Sequence, residues 1–188
     1  AKDETIYSAR FMGDTGYFVT YRNTDPLFAA DLSDPKNPRI MSELNITGFS
    51  EYLHFYGENQ LLGIGWETDP DVSFCDALYN YHAILAAPKK SLFGFAYGIY
   101  GDNTDVYDSS ENYYYALLSY HDQNGFEPQM YLNINDSELF AGSMSYQDYC
   151  RVRGVYIGDM FYLVTEKGIV SYNIQKDYEQ TGTLKWET

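Results

Sequence analysis

The residues best suited to chemistry are a run of acids in Gly101-Asp102-Asn103-Thr104-Asp105-Val106-Tyr107-Asp108-Ser109-Ser110-Glu111-Asn112. Asp102, Asp105, Asp108 and Glu111 could supply oxygen ligands to a hard cation such as calcium, which takes six to eight of them. Their spacing does not follow the EF-hand loop, and a solvated acidic loop is the simpler account. Glu67, Asp69 and Asp71 form a second, sparser group. The three histidines, His54, His82 and His121, are 28 and 39 residues apart, so no two share one element at metal-ligand spacing. His54 is read as a hydrogen-bonding turn residue. Nucleophile signatures are thin: Ala141-Gly142-Ser143-Met144-Ser145 lacks the second glycine of an exposed serine elbow. Gly63-Ile64-Gly65 is not continued into a dinucleotide fingerprint. Pairs of carboxylates for glycoside hydrolysis remain open among 27 acids, because their test is a separation in space.

Tyrosine is the other anomaly, with 21 copies in 188 residues. Tyr97, Tyr100, Tyr107, Tyr113 and Tyr146 crowd one stretch of the chain, and each joins a broad apolar face to a polar tip suited to a peptide or sugar. They are candidate ligand contacts, with packing between sheets as the alternative. Twelve basic residues against 27 acidic ones give a net charge of −15, which repels phosphate backbones and anionic headgroups. Nucleic-acid partners are excluded on that ground. No run approaches the roughly 18 apolar residues of a membrane span, and the opening residues lack a signal-peptide pattern, so no membrane insertion is expected.

The elements that must position these residues are short. Runs rich in Tyr, Phe, Ile, Val and Thr are separated by Gly, Asp, Asn and Pro, which reads as strands and turns with no long helix. Strands are predicted over 9–12, 17–21, 27–32 and 39–44, an antiparallel meander closed by the loop Ser33-Asp34-Pro35-Lys36-Asn37-Pro38. The same unit returns at a constant offset of 145: Met12-Gly13-Asp14 with Tyr17-Phe18-Val19-Thr20 matches Ile157-Gly158-Asp159 with Tyr162-Leu163-Val164-Thr165. Two weaker copies lie between. Four approximate units follow, 7–46, 52–70, 75–134 and 150–186, with a mean spacing of about 48 residues, near that of one propeller blade. The second is curtailed after Trp66, so either its outer strands are truncated or a segment between Trp66 and Val72 is absent from the chain; the second option is favoured. The third is too long, with polar, tyrosine-rich surpluses at 98–112 and 135–148 and an outer hairpin around 121–128. The expected fold is all-β, a β-propeller or partial propeller of antiparallel four-stranded blades. Cys75 and Cys150 would each precede the first strand of a unit, where they either form a disulfide between neighbouring blades or remain free thiols.

The runs DPLFAADLSDPKNP and YLHFYGENQLLGIG, with RGVYIGDMFYLVTEKGIVSYNI, resemble the secreted bacterial proteins that carry a C-terminal β-propeller domain distantly related to WD40 repeats. That resemblance implies an extracellular or cell-surface protein with no settled activity. The expected function is an interaction module for a protein or a glycan, without catalysis and without a cofactor unless calcium binds the acidic loop. The alternatives are a hydrolase at a channel mouth and a purely structural domain. An incomplete ring leaves apolar faces on its terminal blades, which are expected to pack on another chain, on an absent part of the protein or on each other.

Overall fold

A computed structural model describes residues 5–187 except 22–24, 47–48, 59, 67–72, 101–110 and 141–143. The chain divides into two compact units, Ala1–Pro70 and Asp71–Thr188. In the first unit, β1 (Thr5–Met12), β2 (Thr15–Tyr21), β3 (Asp25–Asp31) and β4 (Arg39–Ile46) pair in chain order as one antiparallel sheet. A separate hairpin joins β5 (Phe49–Phe55) to β6 (Leu61–Trp66). The curtailed second unit is thus two strands among the described residues, and the suspected gap lies outside them.

The second unit holds two blades. In one, the innermost strand is split. β7 (Ser73–Phe74) and β8 (Ile84–Ala87) both pair with β9 (Leu92–Tyr100), which continues into β10 (Glu111–His121) and β11 (Gly125–Asn133). The outer hairpin turns at Asp122–Asn124, tighter than the sequence suggested, and Pro128 is inside β11. Proline is tolerated there because β11 is the outer edge strand and a bulge interrupts the ladder at that point. The last blade is the meander β12 (Arg153–Ile157), β13 (Met160–Thr165), β14 (Gly168–Asn173) and β15 (Glu179–Lys185).

The repeat has a physical basis in the inner turn. Gly13 and Gly158 both adopt left-handed φ, +56° and +60°, and a Cβ on either would meet open space, so the backbone angle and not crowding selects glycine. The next residue then offers its carbonyl to the chain leaving the third strand: Leu32 N–H donates to Asp14 O at 2.7 Å, and Ile174 N–H donates to Asp159 O at 2.9 Å. The split blade makes the same closure differently, with Tyr120 N–H donating to Ser91 O at 3.2 Å and Ser91 itself at φ +53°.

The core of the second unit lies between its two blades. Alternation on β10 turns Tyr113, Tyr115 and Leu117 to one face, where they meet Phe161, Leu163, Val170 and Tyr172 of the last blade. Tyr115 and Phe161 have ring centroids 5.4 Å apart. The Tyr115 ring needs two glycines: a Cβ on Gly94 would press on it, and one on Gly154 would overlap its hydroxyl. That hydroxyl is fully buried and makes no hydrogen bond among the described residues. Within the stretch read as a polar surplus, 135–148, Leu139 and Phe140 are buried in this cluster, between Ile134 before it and Tyr149 after it. A Gly154→Ala variant is expected to lose about 2 kcal/mol by overpacking. Tyr115→Phe should instead be neutral or gain about 1 kcal/mol, because it deletes an unpaired buried hydroxyl. Urea unfolding of the two single variants and the double variant checks this: a double variant that loses less than Gly154→Ala alone is expected, and full additivity would refute the clash.

Candidate functional site

A surface with exposed aromatic groups is built from the loop that splits the inner strand and from one short helix. Between β7 and β8 the chain makes two 3-10 turns, Asp76–Leu78 and Tyr81–Ala83. Asn80 joins them: its side-chain oxygen accepts from His82 N–H at 3.2 Å and its amide donates to Asp76 at 3.0 Å. Ala77, Leu78 and Ala83 point inward and are buried. Tyr79 and Tyr81 point outward with 79% and 60% of their surface exposed. The Tyr81 ring lies against His82, centroids 3.8 Å apart.

Helix α1 (Tyr146–Tyr149) is started by a capping box. Asp148 N–H donates to Ser145 Oγ at 3.1 Å, and the Asp148 carboxylate accepts from Ser145 N–H at 3.0 Å and from its hydroxyl at 2.7 Å. Partial burial pushes the Asp148 carboxyl up, but the Ser145 hydrogen bonds with the nearby Lys167 and Arg151 charges outweigh it and leave its pKa below the usual 3.8. The helix ties itself to the loop through Tyr149, which is 0% exposed. Its hydroxyl accepts from Asp76 N–H at 2.7 Å and stands 3.3 Å from the Ala96 carbonyl, to which it donates. Burial raises the Tyr149 phenol well above its ordinary pKa. Arg153 adds a second tie, donating to Cys150 O at 2.9 Å while its other nitrogen stands 4.0 Å from the Asp76 carboxylate. Tyr113 stacks on Tyr149 at 5.0 Å, Phe74 meets Tyr149 edge-on at 5.3 Å, and Tyr146, 53% exposed, packs on Phe74 at 5.6 Å.

The predicted tyrosines are therefore divided. Tyr146 is on the surface of this cluster. Tyr113 is 0% exposed and is a core ring beneath it, so it cannot touch a ligand directly. Tyr97 is on the opposite face of the same sheet, stacked on Tyr114 at 5.3 Å. Tyr100 ends β9 opposite Glu111, the first residue of β10, and nothing further is described of either side chain. Tyr107 and the acids Asp102, Asp105 and Asp108 lie outside the described residues. Among the described residues no three His, Cys, Asp or Glu side chains come together. Each histidine has its own neighbour: the Tyr52 hydroxyl lies 3.3 Å from His54 Nδ1, His82 supports Tyr81, and His121 stands 3.9 Å from Glu127. Burial, then the Arg10 charge, lowers the His54 pKa.

The disulfide is not formed, and Cys75 and Cys150 are free thiols. Cys75 Sγ is turned into its own sheet, donating to Ala96 O at 3.4 Å. Cys150 closes helix α1 instead of leading straight into a strand. Burial pushes the Cys75 thiol from 9.0 up to about 12, and raises Cys150 as well. Tyr79 and Tyr81 are not among the residues singled out from the sequence. The alternation Leu78-Tyr79-Asn80-Tyr81 does look strand-like, and the contrary signal was Asn80, a residue that caps turns with its side chain.

Four-stranded antiparallel meanders with a repeated inner turn, carrying aromatic loops at one end, define a blade-built β protein. A family model described as a β-propeller domain matches residues 1–75 and 69–176, and the chain belongs to that family. An uncharacterised protein of Archaeoglobus fulgidus is 34% identical over 199 residues, covering 97% of this chain and 28% of the relative. An uncharacterised protein of Methanocaldococcus jannaschii is 54% identical over 89 residues, covering 47% of this chain and 14% of the relative. The chain thus spans under a third of the length of either. Both relatives are archaeal, where the resemblance had pointed to bacteria.

Two measurements check this geometry. At about pH 8 a thiol with a pKa of about 12 is thiolate in only about one molecule in 10,000, so Cys75 should resist alkylation while Cys150 reacts more readily. Equal rates by mass spectrometry would contradict the burial. A folded pKa above the unfolded 9.0 means that the contribution of Cys75 to stability is complete below pH 9 and is lost as pH rises towards 12. Tyr149 adds to that loss above its ordinary 10.0. The urea midpoint should therefore fall between pH 9 and 12, and less steeply in Cys75→Ala.

Proposed function

We propose that this chain is a non-catalytic interaction module of a longer cell-surface protein, and that it binds a protein partner through Tyr79, Tyr81 and Tyr146. The observation that carries this reading is the exposure of three rings on backbone held rigid by the Tyr149–Asp76 hydrogen bond. Rigid tyrosines offer large amphipathic contact area at little entropic cost, which is how binding loops on other β scaffolds work. The extracellular setting and the kinship with WD40 repeats are supported by the resemblance of the blade motifs to secreted proteins. A peptide array probed with wild-type protein and with the triple variant Tyr79→Ser, Tyr81→Ser, Tyr146→Ser tests the reading. Peptide ligands of the wild type should weaken tenfold or more, since about 1.4 kcal/mol is a factor of ten and aromatic anchors commonly contribute that much. Binding that survives all three substitutions would defeat it, and binding confined to a parallel glycan array would transfer the surface to a sugar partner.

A second reading concerns the last blade. Val155, Ile157 and Leu184 are exposed on the face of β12–β15 turned away from the core, which also bears Met160, Tyr162 and Val164. The relatives are several times longer than the region they share with this chain. Another blade of such a longer polypeptide is the proposed cover. Association of this chain with itself, measured by light scattering over a range of concentrations, should be relieved by Ile157→Lys; a monomer at all concentrations would remove the reason for a cover.

A further inference from the structure

An open cavity of about 250 Å³ lies in the second unit, between the β9–β11 sheet and the turn that follows β14, and is lined in part by Ser119, His121, Gln129, Gln175 and Tyr178. We propose that it binds a single neutral pyranose unit, free or at the end of a glycan.

Backbone strain marks the place. Among the described residues three that are not glycine have left-handed φ: Ser91 at +53°, Asp177 at +51° and Tyr178 at +57°. One lines the cavity and the other two are next to lining residues in the chain. Tyr178 lines it, Asp177 precedes Tyr178, and Ser91 sits between the lining residues Lys90 and Leu92. A bulky aromatic residue in that region is a genuine outlier, and such strain persists where the surroundings hold a functional conformation. A second irregularity points the same way. The β10–β11 register passes from Leu117↔Met130 to Leu118↔Pro128, leaving Gln129 as the extra residue of a bulge. Bulges re-aim side chains beside binding sites. Here Gln129 Nε2 donates to the buried Ser119 hydroxyl at 2.9 Å, fixing both groups at the cavity wall.

The lining selects the ligand. Lys90 Nζ is 3.3 Å from the Asp159 carboxylate and His121 Nε2 is 3.9 Å from Glu127, so both possible cations have an acidic neighbour and the cavity offers no uncompensated positive charge. With −15 on the whole chain, an anionic ligand is disfavoured twice over. What remains is two amides, a hydroxyl, an imidazole and a phenol, beside the apolar surfaces of Leu92, Ile174 and the Tyr178 ring. The Gln175 amide and the Tyr178 hydroxyl make no hydrogen bond among the described residues. Amides and hydroxyls match vicinal sugar hydroxyls, while an aromatic ring and aliphatic carbons match the C–H face of the sugar ring. The volume is below the roughly 300 Å³ at which pockets for drug-sized ligands begin, which suits one sugar ring.

Saturation-transfer NMR with methyl β-galactoside, methyl α-glucoside, N-acetylglucosamine and glucuronate, each to about 50 mM, tests the proposal. At least one neutral sugar is expected to bind with a millimolar Kd, the usual range for about a dozen non-hydrogen atoms. Gln175→Ala, an exposed side chain whose loss leaves the fold intact, should weaken it three- to tenfold, and Gln129→Ala tenfold or more. Tyr178→Gly should abolish binding, and because the ring also packs against the core cluster its thermal midpoint is read alongside, so that loss of binding is scored only on folded protein. Failure of all three neutral sugars, preference for glucuronate, or binding indifferent to both glutamine variants would each overturn the proposal. Peptide binding by the Tyr79–Tyr81 loop uses none of these residues, so either reading can fail without the other.

Discussion

The second unit is organised around one ring in a space that only glycine leaves open. Tyr115 sits between two sheets, over Gly94 on one side and against Gly154 on the other. Its aromatic area is gained at the cost of a hydroxyl carried into the core without a partner. Because successive residues of a strand face opposite ways, placing Tyr115 there also commits Tyr113 and Leu117 to the same interface and sends Tyr114 to the other face with Tyr97. Tyr113 in turn supplies the floor on which Tyr149 stacks, and Tyr149 holds the loop that displays Tyr79 and Tyr81. The exposed surface is thus a few contacts removed from the interblade core.

Three blades also solve a local problem at their inner turns. A carbonyl at the turn accepts an N–H from the end of the third strand or from the residue just beyond it. In the first and last blades glycine adopts the left-handed angle and an aspartate presents the carbonyl. In the split blade Ser91 does both without glycine. That substitution leaves strain beside Lys90 and Leu92, in the wall of the open cavity. Two blades carry an inexpensive turn, and the blade with the cavity carries a costly one.

Much of the fold was legible. The offset of 145 located two meanders whose inner turns have matching angles and closing hydrogen bonds, and the loop before Arg39 followed from its prolines. The third unit was less readable for specific reasons. Pro128 looked like a loop because a proline's cost depends on whether its strand is at an edge, which composition does not reveal. The stretch after Asn135 looked polar because its buried residues, Leu139 and Phe140, are one adjacent pair among polar neighbours. Among candidate contacts, Tyr113 and Tyr146 are three residues short of three dozen apart in the chain yet share one aromatic cluster, with opposite exposures that no local pattern distinguishes. The glutamines of the cavity carried no signal at all: Gln129 acquires its direction from a bulge and Gln175 from a turn.

The split in the innermost strand has a consequence for how such a blade can change. Where β7 stops and β8 has not begun, the Ala96 carbonyl of β9 is served by side chains, the Cys75 thiol and the Tyr149 hydroxyl, in place of a neighbouring backbone. The register of the sheet is set on either side of the interruption, by Ser73 and Phe74 at one end and Ile84 to Ala87 at the other. Exposed positions between those anchors, such as Tyr79 and Tyr81, can be exchanged while every strand keeps its neighbour. The interruption is a graft point: a position at which descendants of one ancestral blade could acquire different surfaces without relearning how to fold.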